Sequence, residues 1–96
     1  MANWIVYMIK ATDGSLYTGI TTDMARRWRE HSSGGKGARY FRGRSPHSVA
    51  YLESSEDRSS ASRREAAIKQ LNRRQKLALV QSALNELEGE CFGQAD

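Results

Sequence analysis

Two tyrosines, an arginine, a histidine and a glutamate carry the chemistry this sequence could do, spread from residue 7 to residue 65. Arg27 and His31 stand four residues apart, one helical turn, and border an apolar stripe made by Met24 and Trp28. A guanidinium can hold a phosphate through two parallel hydrogen bonds. The simpler account is a solvated helix face, because Arg26 and Arg29 stand nearby. Glu65 follows Ala61 by four residues and precedes Ile68 by three, so it sits on or beside an inward stripe. A buried carboxylate without a partner costs several kcal/mol, on the order of 2–7 for a polar group and more for a charge. Glu65 is therefore expected either to pair with Arg64 or Arg27, as a structural salt bridge, or to bind a cation.

Tyr7 and Tyr17 lie on the first two strands, and whether they share a face depends on the turn between them. A two-residue loop at Asp13-Gly14 sets Tyr7 opposite Ile20 and sends the rings to opposite faces. A three-residue loop, Thr12-Asp13-Gly14, pairs Ala11 with Ser15, sets Tyr7 opposite Gly19 and Tyr17 opposite Ile9, and puts both rings on one face. In that register Gly19 would leave open space beside Tyr7. Gly14 suits either loop, and two ordinary strand tyrosines remain the simpler account, since Tyr is common in strands.

The elements that must position these residues follow from pattern. Residues 3–11 are apolar on both alternating faces and read as a central strand covered on both sides. Residues 15–20 read as its hairpin partner. Thr22 or Asp23 can cap a helix that runs to about residue 32, where Ser-Ser-Gly-Gly stops it. Residues 33–46 form a glycine-rich basic loop, 47–53 a third strand, and 54–58 a polar turn. A second helix spans about 59–71 with Ala61, Ile68 and Leu71 inward. Asn72 and Gln75 resemble a capping box opening a third helix, with Leu77, Val80, Leu84 and Leu87 as its stripe. The order is β-β-α-β-α-α without an internal repeat, an α+β domain over residues 1–88 with a polar, frayed tail at 89–96.

The chain has 96 residues, room for one compact domain. Cys91 is the single cysteine, so no disulfide framework forms within the monomer and a reducing compartment is expected. The Met1-Ala2-Asn3-Trp4 start lacks the basic and apolar regions of a secretory signal, and no apolar run approaches the ~20 residues of a membrane span. The expectation is a cytoplasmic protein with no membrane partner. The net charge of +4 hides an asymmetry: residues 1–84 carry 15 basic and 7 acidic side chains, while Glu86, Glu88, Glu90 and Asp96 crowd the end. Such a body attracts polyanions, nucleic acid first among them. In the loop 34–44, Lys36, Arg39, Arg42 and Arg44 offer phosphate partners, and Tyr40 and Phe41 could stack on exposed bases or simply pack on the sheet. Binding through that loop requires affinity to fall steeply with salt.

Taken in order, Ile5-Val6-Tyr7, Tyr17-Thr18-Gly19, Arg27 ten residues after the second Tyr, and Glu65 on a later helix resemble the GIY-YIG nuclease superfamily. The run from Asp13 to Asp23 and the stretch Gly35–Tyr40 look like its small single-domain branch, the UPF0213 or YhbQ-like group, and the resemblance covers about residues 3–80. It implies a small three-stranded antiparallel sheet flanked by helices and favours the three-residue loop. It also implies metal-dependent hydrolysis of DNA phosphodiesters, RNA not excluded, in repair or processing. By position, Tyr7 and Tyr17 are the motif tyrosines, Gly19 the motif glycine, Arg27 the phosphate contact and Glu65 the ligand of one Mg²⁺ or Mn²⁺; His31 matches a position that holds His or Tyr in many relatives.

Val6 and Ile5 depart from the letters of the first motif, and Ile20 and Thr21 stand where some larger relatives carry a Lys that would activate Tyr17. Asn72 reads as a helix cap rather than as the late active-site Asn of some relatives. Tyr17, or Tyr7, would take a proton from the attacking water; a phenol with a reference pKa of ~10 needs nearby cations to do so, and His31, near ~6.5, is the alternative base. Two other expectations compete: a nucleic-acid-binding module with little turnover, needing no metal, and an accessory subunit whose protein partner supplies substrate targeting.

Overall fold

The computed structural model describes residues 4–33, 39–41 and 43–87. Strand β1 (Trp4–Ala11) is the middle of a three-stranded sheet, antiparallel to β2 (Leu16–Thr21) on one side and β3 (Pro46–Ser55) on the other. Val6, Tyr7, Met8 and Ile9 are all buried, as an unbroken apolar run in a two-sided central strand requires. Helix α1 (Met24–Ser33) and a 3₁₀ turn (Arg39–Phe41) cover one face; α2 (Arg58–Lys69) and α3 (Arg73–Val80) cover the other.

The three-residue turn is the one formed. The Ala11 and Gly14 amides donate to the Ser15 and Ala11 carbonyls, both at 2.9 Å, and Gly14 takes φ 87°, the left-handed region that suits glycine. Asp13 closes the turn by accepting from the Ser15 amide at 3.0 Å. The register that follows sets Tyr7 opposite Gly19 and Tyr17 opposite Ile9.

Asp23, not Thr22, caps α1, accepting from the Arg26 amide at 3.0 Å. Asp57 caps α2, so that helix starts one residue before its expected bound and ends at Lys69. The capping box at Asn72 and Gln75 forms in full. Strand β3 is longer than 47–53 because β1 pairs along its whole length, from Ala11 with Pro46 to Trp4 with Ser55. Two irregularities in that ladder, at Met8/Ile9 and Lys10/Ala11, absorb the mismatch.

The expected stripe of the third helix is corrected. α3 stops at Val80, Leu77 and Leu84 are exposed, and Leu79 and Val80 make its contact with the core. After α3 the chain turns back to β3. The Asn85 side chain accepts from the Leu52 amide at 3.2 Å and donates to the Ala50 and Val80 carbonyls at 2.9 Å. The Glu86 amide donates to the Leu52 carbonyl at 2.8 Å, and its carboxylate takes the Ser54 amide at 3.0 Å. These bonds cover the outer edge of β3, backbone that would otherwise be left unpaired. Leu87 then packs on the α1 side of the core. The tail at 89–96 and Cys91 lie outside the described residues.

Candidate active site

Odd-numbered positions of β1 face α1, so Tyr7 meets Tyr17 across the strand pair and His31 above them. The ring centroids are 6.2 Å apart for the tyrosines, 5.9 Å for Tyr7 with His31 and 5.5 Å for Tyr17 with His31. The expected space beside Gly19 is filled by Tyr7 itself. A Cβ at Gly19 would lie 2.5 Å from the Tyr7 hydroxyl and 2.7 Å from the ring carbon bearing it. The glycine is there so that the phenol can lie flat across β2.

The Tyr7 hydroxyl is 2.8 Å from His31 Nε2, and Arg27 Nε donates to it at 3.4 Å. Burial raises the Tyr7 pKa to about 12; the hydrogen bond and charge of Arg27 work against that rise, and Tyr17 and Glu65 add to it. Burial, then the Arg27 charge, lowers the His31 pKa to about 4. At neutral pH the pair is therefore phenol and neutral imidazole, which sends the phenol proton toward Nε2. Both groups are sealed from solvent, at 1 % exposure each. Arg27 is held by Glu30, Nη1 to Oε1 at 2.9 Å, and although burial opposes its charge the bonds to Glu30 and Tyr7 raise its pKa.

Glu65 approaches from the second helix, on the stripe of Ala61 and Ile68, close enough for its charge to act on Tyr7. Its side chain is 23 % exposed and pairs with Lys69 at 3.3 Å. This corrects the expectation of an Arg64 or Arg27 partner. Arg64 is taken by Glu53, at 3.0 and 3.1 Å, in a network that also binds the buried Tyr51 hydroxyl. A pair four residues apart with a half-exposed lysine is weak, about 0.3–0.5 kcal/mol, and is readily displaced.

Of the basic loop, Lys36 and Arg42 lie outside the described residues. Tyr40 and Phe41 turn inward: Tyr40 packs on Tyr17 at 5.1 Å and Phe41 on His31 at 4.8 Å. The Tyr40 hydroxyl donates to Ser15, and the Arg44 guanidinium covers its ring at 4.2 Å. Arg44 also pairs with Asp13 at 3.5 Å, so these three residues brace the hairpin. Arg39 is exposed.

A cleft of about 280 Å³ opens beside Arg27, lined among others by Trp4, Thr22, Arg26, Glu30 and Arg58. Residue types alone do not single it out. The signal available was the register, which brings Trp4 to the end of β2, where α1 begins. Among the described residues no three His, Cys, Asp or Glu gather as a metal cage, and no helix is long and apolar enough to cross a membrane.

The catalytic-domain model of the GIY-YIG family matches residues 3–78. The UPF0213 protein DP2720 of Desulfotalea psychrophila is 54 % identical over 80 residues, 83 % of this chain and 73 % of that protein. The UPF0213 protein YhbQ of Salmonella typhimurium is 50 % identical over 80 residues, 83 % of this chain and 79 % of that one. The solution NMR structure of the UPF0213 protein BH0048 from Bacillus halodurans superposes with a TM-score of 0.55 at 41 % identity, covering 88 % of this chain and 89 % of that chain. With three antiparallel strands and three helices in the expected order, and this degree of likeness, the chain belongs to the GIY-YIG nuclease superfamily, in its UPF0213 group.

Proposed function

We propose that the protein is a metal-dependent endonuclease that hydrolyses phosphodiester bonds in DNA. The observation that carries this reading is convergence: Tyr7, Tyr17, Arg27 and His31, from two strands and a helix, meet at one place. A structural ion pair does not need two phenols and a buried imidazole around one guanidinium.

Glu65 is the residue that would hold one Mg²⁺ or Mn²⁺. The donor chemistry fits: a hard carboxylate oxygen, partly open to solvent, whose lysine partner can swing away. Mg²⁺ commonly keeps several waters and takes one or two carboxylates, so a single protein ligand is sufficient. Bound there, the ion would stabilise negative charge on the scissile phosphate and on the leaving oxygen.

The chain's own groups do the rest. Arg27, oriented by Glu30, neutralises a non-bridging phosphate oxygen as charge develops. Tyr17 is only half-buried and is the phenol that can meet an attacking water; its oxygen would take the water's proton as its own hydroxyl proton passes on to solvent. Tyr7 is sealed in and stays protonated at neutral pH; it hands its hydrogen bond to His31 and holds Arg27 in place. His31 is not placed to touch water, because its Nε2 is committed to Tyr7 and its ring is buried.

The test is incubation with a panel of labelled DNA and RNA structures in Mg²⁺, Mn²⁺ or EDTA, beside the Glu65→Ala protein. Cleavage by the wild type that EDTA and Glu65→Ala both abolish supports the enzyme. Binding without cleavage under every condition rejects it in favour of a nucleic-acid-binding module. Within the enzyme, Tyr17→Phe is expected to abolish cleavage; full retention would remove Tyr17 as the base.

A further inference from the structure

The cleft beside Arg27 holds more positive charge than a phosphate-positioning arginine needs. Arg26, Arg27 and Arg58 contribute three guanidinium groups to its lining against one carboxylate, Glu30. That carboxylate is drawn to Arg27 at 2.9 Å and lies 3.9 Å from Arg26, near the limit of an ion pair. Arg26 is half-exposed and also donates to the Thr22 hydroxyl at 3.3 Å. Arg58 has no ion-pair partner among the described residues; its guanidinium stands 5.9 Å from the centre of the Trp4 ring. Two arginines from different helices thus face one opening, next to a third that touches the buried Tyr7 hydroxyl.

The lining also includes apolar side chains. Trp4 starts β1 and Ile20 ends the run of β2 that faces the second helix, and both line the cleft. A basic rim beside an aromatic wall is the arrangement that grips a nucleic-acid strand: phosphate on the cations, base against the ring. A cleft of about 280 Å³ is smaller than most small-molecule pockets, which run to ~300–1,000 Å³, and suits one nucleotide unit of a longer strand.

The geometry points to this cleft as a subsite for the nucleotide next to the scissile phosphodiester, with Arg26 and Arg58 holding its phosphate and Trp4 its base. The inference rests on the nuclease reading above and adds to it the path of the strand, from Arg27 across the end of β2 toward the start of α2. It also places grip on the folded body of the domain, independently of the basic loop.

The test uses the Glu65→Gln protein, to bind without cutting, and a short labelled single-stranded oligodeoxynucleotide followed by anisotropy. Combining Arg26→Gln with Arg58→Gln is expected to weaken binding about 10-fold at low salt and to flatten the slope of log affinity against log salt by about 0.7, one phosphate on a single strand. Arg73→Gln with Arg74→Gln removes the same charge from exposed positions on α3, where Arg73 reaches the Gly14 carbonyl at the other end of the hairpin from the cleft, and is expected to change affinity less than about 2-fold, since exposed charges are screened beyond ~10 Å. In Trp28→Phe protein, Trp4 is the one remaining indole, and the oligonucleotide is expected to quench its emission in step with anisotropy.

Equal weakening by both arginine pairs, or Trp4 emission that stays constant while anisotropy saturates, overturns the subsite and leaves the nuclease reading standing. A wild-type protein that neither binds nor cuts any oligonucleotide with Mg²⁺ or Mn²⁺ overturns both. Circular dichroism of each variant establishes that it is folded before its affinity is compared.

Discussion

The two faces of the sheet are built from alternate residues of the same strand and have different contents. Between the sheet and α2 lie Val6, Met8, Ala61 and Ile68, an aliphatic core in which the Tyr51 hydroxyl is answered by Glu53 and Arg64. Between the sheet and α1 lie Tyr7, Tyr17, His31, Tyr40 and Phe41, five rings linked in one cluster with a guanidinium at its margin. A period of two lets one strand do both tasks, since each residue of β1 belongs wholly to one face. The aliphatic face holds the domain together, and the aromatic face holds groups whose protonation states are set by burial. Glu65, on the helix of the aliphatic face, pairs with Lys69, and its charge adds slightly to the rise of the Tyr7 pKa on the other face.

If that division is real, mutations should separate stability from activity by face. Ile68→Ala, fully buried on the aliphatic side, is expected to cost about 2–5 kcal/mol in urea denaturation and to leave cleavage per folded molecule unchanged. Glu65→Ala should do the opposite, lowering the cleavage rate about 100- to 1,000-fold with less than about 1 kcal/mol of lost stability, because its ion pair with Lys69 is weak. A large stability loss there would mean that Glu65 is a structural residue and that the comparison fails.

Gly19→Ala sharpens the comparison on the aromatic side. The added methyl displaces the Tyr7 ring rather than opening a cavity, and a shift approaching 1 Å is expected to cost about 100-fold in cleavage. Restored activity in Gly19→Ala with Tyr7→Phe would show the clash without a need for the hydroxyl, and so remove Tyr7 from the machinery.

The smallest effect is one of pH. His31 binds a proton less readily folded, at about 4, than at its reference value of 6.5. The unfolded chain then holds more protons in that window, so stability is full above pH 6.5 and falls as pH drops toward 4, by about 2 kcal/mol at pH 5. Denaturation of wild type and His31→Gln at pH 7 and pH 5 isolates this contribution; an identical pH dependence in the two would show that His31 is not held neutral.

Much of this was legible in the residues. The two-sided burial of β1 followed from its unbroken apolar run, and the capping box at Asn72 and Gln75 formed where it was expected, whereas the Asp57 cap lay inside what read as a plain polar turn. The shared face of the tyrosines was not decidable from Gly14 alone, since both loops tolerate it; the family pattern chose, and the observed φ and register agree. Other features depended on distances the sequence does not carry. Arg64 adjoins Glu65 in the chain but points to Glu53, because neighbours on a helix are about 100° apart around its axis. Leu77 and Leu84 have helical spacing, yet the helix ends at Val80 and the apolar pattern outlasts it. The cleft at Trp4 combines residues from the first two strands and two helices, and no local pattern announces it.

The clasp of Asn85 and Glu86 on β3 lies beyond residue 78, where the family match ends. Trimming the chain to the matched region would keep every group in the proposed site and strip the selvedge from the sheet. Self-association through the bared strand, rather than lost chemistry, is what such a shortened protein should show first.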